Sequence, residues 1–168
     1  MPKALMPRHV LAGLVAVALL AAVPLAPAQA ATSNTTFSVT ADVSSTCFVT
    51  ANNLNFGQYT AAELDNTTTL QATCSNGVPY SVGLTQGGGL GATVTSRRMT
   101  GPGADVLTYQ LFQDAGRTTN WGDTIGTDTV AGTGNGSAQT LTVYGRIPAS
   151  QFVGPGQYSD TVTVTLTF

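Results

Sequence analysis

The chain has 168 residues, with 6 Lys and Arg against 8 Asp and Glu, one His and two Cys. A charged content of 8% with so few basic residues provides no surface to neutralise phosphates, which excludes nucleic acid as a partner. The length suits one domain around a single core.

The N-terminal segment holds Lys3 and Arg8, an apolar run from Val10 to Val23, Pro24 and Pro27, and then Ala28-Gln29-Ala30. This is the order of a basic region, an apolar region and a small-residue cleavage site in a secretory signal. The run falls short of the roughly 20 residues that span a bilayer. A cleaved signal over residues 1–30 is therefore preferred to a membrane anchor, and the protein is expected to be exported. Residues 31–168 keep four arginines (Arg97, Arg98, Arg117 and Arg146) and all eight acids, a net charge of −4, with neither Lys nor His. In an exported chain Cys47 and Cys74 are expected to form one disulfide. The chain-entropy model values such a loop at roughly 3–4 kcal/mol.

The next segment alternates. Phe37, Val39, Ala41 and Val43 fall on one face of residues 35–43, with polar residues between them for most of its length. Further strands are expected over Leu54–Tyr59, Thr68–Cys74, Pro79–Thr85, Val106–Gln113 and Gln139–Ile147. Turn chemistry separates them, for example Ser75-Asn76-Gly77, Gly101-Pro102-Gly103 and Gly154-Pro155-Gly156. The segment from Tyr158 to Phe168 is the most regular. Val162, Val164, Leu166 and Phe168 share one face, and threonines fill the other. Many short strands with Gly/Pro turns read as an all-β sandwich or barrel.

Catalytic chemistry is hard to place on residues 31–168. Without His, Lys or a free thiol there is no Ser-His-Asp, Cys-His or Ser-Lys arrangement, and the acids are scattered. The chain is read as not an enzyme and as needing no cofactor. Asp123 and Asp128 are weak evidence for a Ca²⁺ loop and read more readily as part of a solvated one. No metal ligand set is assembled, because no His remains. Arg97-Arg98 reads as exposed charge on an edge strand, and Trp121 as a partly buried loop anchor rather than a ligand platform.

An ordered series of motifs runs through nearly all of residues 31–168. It comprises Cys47-Phe-Val, Leu54-Asn-Phe-Gly-Gln-Tyr59, Cys74-Ser-Asn-Gly77, Tyr80-Ser-Val-Gly-Leu84, Arg98-Met99 and Leu107-Thr-Tyr-Gln-Leu-Phe-Gln-Asp114. Trp121-Gly-Asp123, Val143-Tyr-Gly-Arg-Ile-Pro148 and Gly156-Gln-Tyr-Ser-Asp-Thr-Val162 complete it. The series resembles the spore coat protein U domain family, which includes major subunits of archaic, Csu-type chaperone–usher pili. The resemblance implies an incomplete immunoglobulin-like β-sandwich, completed by a donor strand from another chain. It implies a periplasmic chaperone, an outer-membrane usher, and identical or related pilus subunits as partners. Export then runs through the periplasm to the cell surface. On this reading residues 31–44 are the donor-strand extension, with Phe37, Val39, Ala41 and Val43 as its inserting side chains. Residues 45–168 are the pilin-like domain, and Val162, Val164, Leu166 and Phe168 face the groove and the chaperone. The expected function is a structural pilus subunit for surface adhesion and biofilm formation. The alternatives are a secreted spore or cell coat protein and a carbohydrate-binding adhesin module. Taken from the residues alone, 35–43 also fit the first strand of a complete, monomeric sandwich.

Overall fold

A computed structural model describes residues 27–168. The signal-peptide reading therefore falls largely outside the described residues. The chain divides after Ala41 into two compact units. In the first, the described residues 27–41 form no helix or strand and are exposed. Residues 35–43 thus form no strand of this chain's own, as the alternative reading required, and their alternating pattern remains.

The second unit is all-β, with no α-helix among the described residues. Its strands are β1 (Cys47–Ala51), β2 (Leu64–Cys74), β3 (Pro79–Leu84), β4 (Arg97–Thr100), β5 (Val106–Phe112), β6 (Val130–Thr133), β7 (Ala138–Ile147) and β8 (Val164–Thr167). They form a five-stranded sheet in the order β1-β2-β7-β5-β4 and a three-stranded sheet in the order β6-β3-β8. Every named pairing is antiparallel. The disulfide joins Cys47 to Cys74, which face each other at the start of β1 and the end of β2.

The core follows from the pleat. Along β2, Leu70, Ala72 and Cys74 point inward and are buried, whereas Gln71 and Thr73 between them are only half-buried. Along β7, Val143 and Ile147 do the same. Tyr80, Val82 and Leu84 of β3 meet them from the small sheet. Pro79 opens β3, where its missing N–H does not interrupt the ladder. Trp121 is an anchor, fully rather than partly buried, and its indole N–H donates to the Val82 carbonyl at 2.9 Å. On the outer face of β2 and β7, Arg146 pairs with Asp65 through two bonds of 2.8 and 2.9 Å.

Four strand expectations hold with shifted ends, at β2, β3, β5 and β7. The edge strand read at Arg97-Arg98 is β4, whereas β1 and β6 were not anticipated. Two segments differ more. Leu54–Tyr59 forms no strand. After Asn52, whose N–H still reaches the Thr69 carbonyl, the backbone leaves the ladder. Asn55 caps a turn by accepting the Gly57 N–H at 2.9 Å, and Gly57 takes φ +84°. The strand expected over Tyr158–Phe168 is shortened to Val164–Thr167. Ser159 still bridges to Thr100 of the large sheet, so the chain is crossing between sheets until it joins β3. Arg97-Arg98 is also corrected. β4 is an edge strand, but Arg97 is 0% exposed.

Candidate functional site

The large sheet has five strands and the small sheet three, so part of the large sheet's inner face has no strand opposite it. β8 is bonded to β3 on one side and, among the described residues, to no strand on the other. A groove of about 1100 Å³ lies along this vacancy. Its floor includes Leu70, Leu107, Leu111, Val143 and Ile147. One wall is residues 51–61 and the other is residues 151–164.

The first wall is the segment that failed to become a strand. Leu54, Phe56 and Tyr59 are half-buried and pack on the core. Gly145 makes this possible, because a Cβ there would stand 2.6 Å from Leu54 Cδ2 and 2.7 Å from Phe56 Cζ. Polar ties hold the backbone. The Tyr59 hydroxyl donates to the Pro148 carbonyl at 2.7 Å and accepts the Gln151 N–H at 3.1 Å. Phe56 also meets Tyr109 edge to face, with ring centroids 6.2 Å apart.

The second wall is fixed by Asp160, the one charged side chain among the lining residues. Its carboxylate accepts the N–H groups of Gly88 and Thr161 and the hydroxyl of Tyr109, each at 2.7 Å. Burial, and then the hydrogen bond to Asp160, push the Tyr109 phenol well above its ordinary range. Gly87 has no room for a side chain, since a Cβ would strike the Asp160 carboxylate. Behind this wall the Arg97 guanidinium donates to the carbonyls of Leu84, Thr85, Val94 and Trp121 at 2.9, 2.8, 2.6 and 2.6 Å. Burial lowers its affinity for a proton. These bonds tie the 85–94 loop to β3, β4 and the Trp121 segment.

The structure separates the residues expected at the site. Val162 and Val164 line the groove. Leu166 is half-buried against the core but is not part of the lining, and Phe168 is 58% exposed. Phe37, Val39 and Val43 are 86%, 81% and 91% exposed, and Ala41 is exposed too. Asp128 is occupied locally, accepting the Thr124 N–H at 2.8 Å. No group of three candidate metal ligands occurs among the described residues. The composition gave no signal for Asp160, Gln151 or the buried Arg97. The alternation of Leu54 and Phe56 was visible, but its use as a groove wall was not.

The chain matches the Spore Coat Protein U domain over residues 33–165. It belongs to that family. Protein U of Myxococcus xanthus is 34% identical over 163 aligned positions, covering 87% of this chain and 90% of that protein. Among solved structures, the chain resembles one in the CsuC–CsuE chaperone–tip adhesion subunit pre-assembly complex from archaic chaperone–usher Csu pili of Acinetobacter baumannii. The TM-score is 0.58 at 23% identity, over 75% of this chain and 40% of that one. The likeness is one of fold, and this chain spans well under half the length of its structural counterpart.

Proposed function

We propose that this chain is a structural subunit of a chaperone–usher pilus, exported through the periplasm and polymerising by donor-strand complementation. In this reading a periplasmic chaperone and then the extension of another subunit fill the groove in turn, with an outer-membrane usher handling the exchange. The fibre serves surface adhesion and biofilm formation. The observation that carries the reading is the free edge of β8 beside a groove with an apolar floor, in a chain whose segment before Cys47 displays unused alternating apolar side chains.

Residues 35–43, extended at about 3.3 Å each, span roughly 30 Å. Added alongside β8, such a strand gains backbone bonds from groups now without a ladder. Its Phe37, Val39 and Val43 side chains gain about 1.5–3 kcal/mol each on full burial. The likeness to a subunit from archaic chaperone–usher pili supports the same assignment.

The test is deletion of Ala31 to Asp42. Wild-type chain co-expressed with its chaperone and usher should give a ladder of denaturant-resistant multimers on an unboiled gel. The deleted chain should still bind chaperone but give no ladder. Polymerisation of the deleted chain would overturn the reading. A second reading, a protein of a spore or cell coat, is favoured by the extensive likeness to Protein U. Electron microscopy of expressing cells separates thin fibres from a continuous coat.

A further inference from the structure

We infer that Asn76 and Asn135 are latent self-modification sites, each able to deamidate onto the glycine that follows it, and that the fold holds both closed by a reciprocal clamp between their loops. The inference is independent of the donor-strand reading.

The chain has two Asn-Gly pairs, Asn76-Gly77 and Asn135-Gly136. Both serve turns, with Gly77 at φ +80° and Gly136 at φ +79°, a conformation that strains a residue with a side chain. Such a pair is chemically labile. The glycine nitrogen attacks the asparagine Cγ and a ring C–N bond forms. The carboxamide C–N bond breaks, and ammonia leaves carrying the glycine's proton. The succinimide then takes up water and opens to aspartate or isoaspartate. A glycine has no Cβ to obstruct the attack. All four residues are exposed, so water reaches both sites and burial does not protect them.

What restrains them is hydrogen bonding between the two loops. The Gly77 N–H donates to the Gly134 carbonyl at 2.9 Å, and the Gly134 N–H donates to the Val78 carbonyl at 2.8 Å. These bonds carry the β3–β6 ladder one step past the Pro79–Thr133 pair. The Gly136 N–H donates to the Cys74 carbonyl at 3.1 Å, just past the Thr73–Ala138 pair of β2 and β7. Each reactive nitrogen therefore gives its proton to the opposite loop. Attack needs that proton removed and the nitrogen turned toward its own side chain, so the clamp must open first. At Asn135 the carboxamide oxygen is also engaged, accepting the Ser137 N–H at 2.9 Å.

Gly134 lets the loops approach. A Cβ there would strike the Ser75 carbonyl oxygen and stand 2.6 Å from Cys74 Cβ. The disulfide to Cys47 anchors the Cys74 side. Neither 75–78 nor 133–137 carries a charged residue, so conversion at either site puts a new carboxylate on this end. Isoaspartate also adds a methylene to the backbone and no longer fits the turn it came from.

The test follows isoaspartate at each site in the full chain as expressed, held at mildly alkaline pH, by peptide mapping with an isoaspartate-specific methyltransferase. The folded wild type should modify both sites at least about tenfold more slowly than the reduced, unfolded chain, equivalent to an opening cost of about 1.4 kcal/mol. Gly134→Ala, with its denaturation transition retained, should lose most of that protection at Asn76 and Asn135 together. If Gly134→Ala does not fold, amide exchange of the wild type decides. The Gly77 and Gly136 amides should then be at least about tenfold better protected than that of the exposed Gly126. Equal modification of folded and unfolded chain would overturn the clamp, as would Gly77 and Gly136 amides no better protected than Gly126. Acceleration at one site alone in folded Gly134→Ala would overturn its reciprocity. An unfolded chain that forms no isoaspartate would overturn the sites themselves.

Discussion

The Tyr109 hydroxyl donates to the Asp160 carboxylate at 2.7 Å, joining the buried face of β5 to the segment that leads into β8. Asp160 also accepts from Gly88 and Thr161, so a single side chain sets the path of one groove wall. An amide at 160 would turn an N–H donor toward groups that are themselves donors. Asp160→Asn, and still more Asp160→Ala, should destabilise the subunit by about 1–3 kcal/mol, the cost of leaving buried polar groups unpaired. The denaturant midpoint of the subunit measures this, and a change within error would mean that Asp160 does not hold the wall in place.

The same pair predicts an alkaline limit. The phenol of Tyr109 is raised above its unfolded value of 10.0 by burial and by Asp160. Its contribution to stability is therefore complete below pH 10 and is lost as pH rises beyond it, because the unfolded state releases the proton first. Tyr109→Phe should start less stable at neutral pH, since Asp160 loses a donor, but should lose less on going from pH 9 to 11. Parallel pH profiles of the two proteins would refute this.

Arg97 makes a sharper case. It is fully buried and faces four carbonyl oxygens. Arg97→Ala should cost at least about 3 kcal/mol, because those acceptors are left without partners in a dry interior. Arg97→Lys should recover part of the loss, since an ammonium can donate but cannot reproduce the planar fork. Soluble yield of subunit–chaperone complex should rank wild type above Arg97→Lys above Arg97→Ala. Equal yields would show that the arginine is dispensable.

Arg97 also marks where sequence reading fails. A charged residue in a basic pair reads as surface, because nothing local announces the carbonyls that fold around it from the residues at 84, 85, 94 and 121. β2 and β7 were legible because alternation over many residues has one explanation. Leu54 and Phe56 show the same alternation, yet Asn55 and Gly57 turn the backbone off the ladder there. The periodicity correctly identified buried faces at both places but could not distinguish a paired strand from an unpaired wall. At Val162, Val164 and Leu166 it picked out the half-buried side, but Phe168 is exposed. It could not show that the groove stops at Val164, a consequence of how the chain crosses from Thr100 to β3.

The disulfide gives a prediction independent of assembly. Cys47 and Cys74 are separated by 27 positions and clamp the point where β1 enters the sheet. Cys47→Ser and Cys74→Ser should be equally destabilising, by roughly 3 kcal/mol, and the double variant no worse than either. Intact mass of the wild-type chain should be two hydrogens below the reduced value. A markedly worse double variant would mean that the two sulfurs do not act as one bond.

The last prediction sets the two faces of the extension against each other. Phe37 and Val39 are exposed and apolar, and Thr40 lies on the opposite face of the same alternation. Extended in a groove, residues 37 and 39 would insert while 40 would point away. Phe37→Asp or Val39→Asp would carry an unpaired charge into apolar surroundings, a large cost. Thr40→Asp would leave its charge in solvent. The expected result is short or absent ladders for both odd-position variants and a near-normal ladder for Thr40→Asp. On the acceptor side, Val164→Asp should abolish the ladder, because Val164 lines the groove, whereas Phe168→Asp should still form one, because Phe168 lies outside the lining. A free subunit with an exposed extension would show no such parity, since every one of these side chains would remain in water. Equal ladders from Phe37→Asp, Val39→Asp and Thr40→Asp would therefore reject insertion of this segment while leaving the fold and the groove as described.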